Sequence, residues 1–162
     1  MSSRYAAAKT CVFWNVEDCP IPSGLDPVSV ARNIKSALAK KGFLGEVTIR
    51  AYGDMYQIPD YYQPAGIKLE RHGDKSARFM SMNGDFFLWL LENGESTNMM
   101  VISGDHSEFA QSLKSCTAAN NNILLAQPED APRRCSSCRM FVPYEWTWES
   151  LSAGGDPIPR AP

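Results

Sequence analysis

At 162 residues the chain is long enough for a single domain with its own core, and with 44% hydrophobic and 21% charged residues its composition is globular rather than disordered. Sixteen basic residues against 18 acidic ones leave a net charge of −2. There is thus no global electrostatic pull on nucleic acid, and any such binding must rest on local patches.

No apolar run approaches the ~20 residues that span a bilayer, so no membrane contact is expected. The opening MSSRYAAAKT lacks the apolar core of a secretory signal. Five cysteines (Cys11, Cys19, Cys116, Cys135 and Cys138) are odd in number and widely spread. That pattern favours a reducing compartment, hence an intracellular protein, over a disulfide-stapled secreted module.

Residues 1–9 read as an N-terminal extension. Cys11–Val16 (CVFWNV) is a short apolar run, predicted as a strand buried on both faces. A helix follows, with Asp26 to cap it, Pro27 in its first turn and Gly42 at its end. Its apolar positions Val30, Ala31, Ile34, Ala37 and Leu38 share one face. Glu46–Asp54 is a second strand, rich in β-branched and aromatic residues. Pro59–Gly66 holds a short turn or helix, and Ile67–His72 alternates as a third strand. Asp74–Glu92 reads as a helix that Gly84 weakens by ~1 kcal/mol. Met99–Ser103 is a fourth strand, Glu108–Ala119 a helix, and Ile123–Ala126 a fifth strand closed by Pro128. This alternation predicts an α/β fold with a mainly parallel, doubly wound sheet of about five strands, the domain running over 10–150. The Gly/Pro-rich residues 151–162 are expected to be a flexible tail.

In open parallel sheets, ligands bind beyond the carboxyl ends of the strands, where the strand order reverses. The first strand runs out into Asn15, Glu17 and Asp18, the second into Asp54, and the fourth into Ser103-Gly104-Asp105 with Glu108 close behind. If the first and fourth strands are neighbours, Glu17 or Asp18 faces Asp105 across a crevice. Crowded carboxylates repel one another unless a cation neutralises them. Hard ions such as Mg2+ and Mn2+ favour oxygen ligands and can polarise a phosphodiester and activate water. Taken singly, each acid also has a plain structural use: Asp105 as a helix cap, Asp18 as a turn before Pro20. No P-loop, no G-x-G-x-x-G after a strand and no G-x-S-x-G elbow is present. His72 and His106 each follow a strand end; His106 is the better placed for the site, and a solvent-facing loop role is its ordinary alternative.

Together, FWNVEDCPIP, the AYGD strand end, ISGD-x-x-EF and NNILLAQPE resemble plant NYN-domain proteins. The resemblance runs from about Val12 to Glu129 and resumes weakly at WTWESLSAGG. The NYN group is related to the PIN and FLAP nucleases. The resemblance therefore implies a Rossmann-like, PIN-type three-layer α/β/α sandwich that cuts RNA with Mg2+ or Mn2+. The family's first strand reads F-W-D-I-E-N-C, its Asp being a metal ligand. Here that position is Asn15, Glu17 matches, and Asp18 stands where the family has Asn. Asn brings an oxygen without a charge, so metal affinity is expected to fall. Asp105 matches the SGD acid, and Glu108 matches the following acid if one residue is inserted. The middle acid is either Asp74 or Asp85. They are eleven residues apart, which places them about 20° from each other around one helix. Asp85 lies within the apolar NGDFFLWLL, where a carboxylate without a partner would be costly. The expected metal ligands are thus Asp105, Asp85, Asp74 and Asn15, with Glu17, Asp18 and Glu108 completing the site.

Arg133, Arg134 and Arg139 flank Cys135 and Cys138 and could grip phosphates beside an acidic centre. The lone C-x-x-C is half of a zinc site or, more simply, two free thiols. Tyr144, Trp146 and Trp148 alternate; packing as an edge strand or clamp is preferred over base stacking. The sequence thus leads to a metal-dependent endoribonuclease acting on single-stranded or structured RNA. DNA as substrate, a homodimer and a weakened, non-cutting RNA- or protein-binding module stay open.

Overall fold

The computed structural model describes residues 3–54, 59–71, 74–94, 96–131 and 138–160. In chain order the elements are α1 (Ser3–Ala6), β1 (Thr10–Asn15), α2 (Pro27–Lys40), β2 (Val47–Gly53), α3 (Pro59–Tyr62), β3 (Lys68–Arg71), α4 (Lys75–Asn93), β4 (Asn98–Ile102), α5 (Ala110–Ala118), β5 (Asn122–Gln127), β6 (Tyr144–Thr147) and α6 (Trp148–Ser152). Short 3-10 turns occupy Gln63–Ala65, His106–Phe109 and Cys138–Met140.

Strand β1 is buried along its whole length, as an apolar run covered on both sides must be. Its alternating side chains feed two cores. Val12 and Trp14 pack with Val30, Ile34 and Leu38 of α2 and with Trp148 and Leu151 of α6. Cys11 and Phe13 pack with Met82, Phe86 and Trp89 of α4 and Leu113 and Cys116 of α5. The strand period of two thereby produces the expected three-layer α/β/α sandwich. All strand pairs are parallel, in the order β3-β2-β1-β4-β5-β6. The winding reverses between β1 and β4, which are hydrogen-bonded neighbours.

The sheet has six strands where about five were expected. The sixth is the four-residue β6, which pairs with β5 from Leu124↔Tyr144 to Gln127↔Thr147. Trp146 and Trp148 are both buried, so the aromatic run serves packing, as preferred from the sequence. The Gly/Pro-rich end departs from expectation: it is tied to the body rather than trailing as a tail. The Ile158 amide donates to the Glu145 carbonyl at 2.7 Å, the Trp146 indole to the Gly155 carbonyl at 3.1 Å, and Lys40 to the Gly154 carbonyl at 2.7 Å. Composition signals the turns of such a segment but not the carbonyls they present to neighbours.

Helix α2 starts as its sequence dictates, with the Asp26 carboxylate accepting the Ser29 amide at 2.8 Å and Pro27 at the first position. Helix α4 runs unbroken through Gly84, so Asp85 is not a cap. A Cβ built on Gly84 meets no atom within 4 Å. Gly84→Ala should therefore stabilise the protein by about 0.5–1 kcal/mol, read as a rise of about 1–4 °C in Tm. An unchanged or lower Tm would mean that the residue 84 backbone or its surroundings reject a methyl group.

Candidate functional site

The site grows out of the end of β1. Asn15, only 8% exposed, turns its side-chain oxygen inward to accept the Glu17 and Asp18 amides at 3.0 and 3.2 Å. This is an Asx turn, a compact way for a strand to reverse. The amide nitrogen of the same side chain donates to Asp18 Oδ2 at 3.1 Å, and that oxygen also accepts the Gly104 amide at 3.1 Å. Asp18 thus joins the loop after β1 to the loop after β4, across the point where the strand order reverses. Gly104 permits the approach: a Cβ there would lie 3.1 Å from the Asp18 carboxyl carbon. Next to it, Asp105 Oδ1 accepts the Ser107 amide at 3.0 Å and the Ser107 hydroxyl, capping the 3-10 turn. Glu17 reaches the third strand end, accepting the Asp54 amide at 2.7 Å. Gln127 from β5 donates to the Gly104 carbonyl at 3.3 Å.

Two indoles hold this edge from below. Trp14 donates to the Cys19 carbonyl and Trp148 to the Pro20 carbonyl, each at 2.8 Å, and the two rings lie 5.2 Å apart. Their role was not evident from the sequence, because an indole N–H finds its partner through tertiary contact alone. Gly104 could have been found: a glycine between a strand end and an acid is the signal of close backbone approach.

The remaining candidates separate. Asp74 caps α4, accepting the Ala77 amide at 3.1 Å, and lines a cavity of about 580 Å3 together with Glu108. Asp85 lies eleven residues beyond Asp74, about 15 Å along the helix from its first residue, and accepts the Tyr52 hydroxyl at 2.8 Å. The partner expected for a carboxylate in this apolar stretch is therefore a phenol of the sheet. Burial, reinforced by Asp85, pushes the Tyr52 pKa well above the usual tyrosine range. His106 is not solvent-facing: it is 1% exposed, with Nε2 3.2 Å from the Val101 carbonyl. Arg139 lies in the 3-10 turn that precedes β6 and pairs with Glu145 of that strand at 3.5 Å. Arg133, Arg134 and His72 lie outside the described residues, as does Cys135. Cys138 is disulfide-bonded, not a free thiol, and so offers no thiolate to a zinc ion. Cys11, Cys19 and Cys116 are free and buried, and burial pushes the Cys11 thiol up to about 12 and that of Cys116 to about 11.

The fit of a divalent ion can be judged from the donor atoms. Both lone pairs of the Asn15 oxygen are taken by backbone amides, and its nitrogen is a donor aimed at Asp18. Asp85 is removed along α4, while Asp74 and Asp105 are each engaged in capping. Among the described residues no group of three or more His, Cys, Asp or Glu stands together to hold a metal ion. In this arrangement the expected ligand set does not fit a resident cation.

The whole fold is shared with a solved structure, a Vibrio parahaemolyticus protein of unknown function, at a TM-score of 0.60 and 13% identity over 91% of this chain and 96% of that one. That likeness shows the fold, an α/β/α sandwich. The NYN domain family matches residues 9–145, and the chain belongs to that family. The NYN family is part of the PIN-like nuclease superfamily, whose members are nuclease-type hydrolases that generally use divalent metals. No curated protein matches the chain. Among the described residues no helix is long and apolar enough to cross a membrane.

Proposed function

We propose that this NYN domain is an endoribonuclease, hydrolysing RNA phosphodiester bonds in the crevice between the ends of β1 and β4. The observation that supports this reading is the Asp18–Gly104 contact, which draws Glu17, Asp18 and Asp105 to one carboxyl edge at the switch point. Glu17 and Asp18 are exposed and Asp105 is half-buried, so a phosphodiester and a water can reach them. A carboxylate so placed can take the proton of an attacking water.

One observation favours a second reading, a weakened relative that binds RNA without cutting it. Asn15 brings an uncharged amide that donates a hydrogen bond to Asp18, in a family position where the resemblance implies a charged metal ligand. Cleavage of a labelled RNA by wild type, Asn15→Asp and Asp105→Asn across a Mg2+ and Mn2+ titration separates the two. The hydrolase reading expects wild-type cutting that Asp105→Asn lowers by about 100-fold or more. Wild-type cutting untouched by Asp105→Asn would remove the proposed centre. RNA retained by all three proteins with no cutting would establish the binding module.

A further inference from the structure

A second feature lies beside the crevice and has no part in the acidic clasp. The cavity of about 580 Å3 is lined by Asp74, Lys75, Ser76, Phe79 and Glu108. Glu108 belongs to the same 3-10 turn that Asp105 caps, so the cavity adjoins the proposed reaction centre. Phe79 is half-buried, its ring stacked on Phe109 with centroids 4.9 Å apart and planes 23° from parallel. Phe109 is itself buried and braced edge-on by Phe86, which in turn meets Phe13 of the central strand. The Phe79 ring is therefore a fixed apolar platform backed by the core, with its remaining surface on the cavity.

The polar groups around this platform match a nucleotide. Glu108 is an exposed carboxylate, and carboxylates accept hydrogen bonds only. They discriminate among bases by their donors, and two adjacent N–H groups on one edge can bind a carboxylate in bidentate fashion. Among the common bases guanine presents that pair on its Watson–Crick edge. Lys75 supplies a cation and Ser76 a hydroxyl, both suited to a phosphate. An unpaired base stacks on an aromatic ring whatever its identity, so the platform gives affinity and Glu108 gives choice.

We propose that this cavity is a nucleobase subsite that takes an unpaired guanine of single-stranded RNA, stacked on Phe79 and read by Glu108. The proposal rests on the RNA-directed reading above and adds to it a substrate preference. Its test uses the whole chain, titrated with guanosine 5′-monophosphate and uridine 5′-monophosphate by chemical-shift perturbation, and with a labelled unstructured RNA by fluorescence anisotropy. Wild type should bind the guanine nucleotide about tenfold more tightly than the uracil one. Phe79→Leu, which keeps an apolar side chain against Phe109, should weaken both by about tenfold, and Phe79→Tyr should restore them. Glu108→Gln, on an exposed side chain, should erase the preference while leaving the uracil nucleotide unchanged. Equal wild-type affinities for the two nucleotides, or full affinity in Phe79→Leu, would overturn the subsite. RNA binding that stays intact in Phe79→Leu would overturn the subsite alone and leave the RNA-directed reading standing. A wild type that binds neither RNA nor nucleotide would overturn both.

Discussion

Asn15→Asp is expected to lower stability by about 2–4 kcal/mol in a chelating buffer. The substitution keeps the shape of the side chain but replaces the amide donor with a second carboxylate, about 3 Å from Asp18 Oδ2. The loss combines a hydrogen bond to a charged group, worth about 1.5–3 kcal/mol, with repulsion of about 1–3 kcal/mol at the high effective dielectric of an exposed partner, the two not being fully additive. Two signatures distinguish this from a general loss of packing. Mn2+ should return much of the lost stability to the variant while leaving wild-type Tm unchanged, since only the variant gains from an ion between two carboxylates. The deficit should also narrow as pH falls towards about 4. The introduced carboxyl, held against a like charge, has a raised folded-state pKa, so the folded variant binds more protons than the unfolded chain and loses stability as pH rises. Urea unfolding of both proteins, with chelator and with Mn2+, measures each of these. A wild-type Tm that climbs with Mn2+ would show that the acids regroup around an ion despite the Asn15 bonds.

Trp148→Ala should be the more damaging change, costing about 3–5 kcal/mol for a large buried side chain. Trp148 is 4% exposed, packs on Trp14, and donates to the Pro20 carbonyl. Its loss empties part of the α2–α6 core and frees the loop that carries Glu17 and Asp18. Trp148→Phe keeps the ring but drops the indole donor, and should recover all but about 1–2 kcal/mol. The two variants therefore separate support of the core from support of the loop. A loss below about 1 kcal/mol in Trp148→Ala, read by urea denaturation, would show that the last helix does not brace the site.

The limits of the sequence are instructive at particular residues. β1 was legible because an uninterrupted apolar hexamer has few other uses, and α2 because Asp26, Pro27 and Gly42 each mark an end by local chemistry. The crevice was legible only in outline: the acids follow strands, but the β1–β4 pairing that brings them together was a condition that the structure meets. Asp74 and Asp85 could not be separated by the same logic. A helical projection reports angle and discards distance along the axis, and it is the axial distance that places one acid at the sheet edge and the other under Tyr52. Asn15 was read as an uncharged, weakened metal ligand. Its three hydrogen bonds show a residue with its own task, the closing of a turn, which residue type alone does not reveal. β6, at four residues, was too short for its period to speak clearly as a strand.

The bonded Gly/Pro end has a consequence for the protein in solution. An open sheet presents unpaired backbone groups at both borders, and each is a template for pairing with another chain. The two borders are guarded by different means. β3 carries Lys68 and Glu70, paired at 3.4 Å, so ionic groups decorate its rim. β6 has only Glu145 among its four residues, and there the chain folds back to place Ile158 on the Glu145 carbonyl. The terminal segment acts as an intramolecular cover for that rim, and a shortened chain lacking it would offer Trp146 and bare strand backbone to its neighbours, inviting edge-to-edge aggregation.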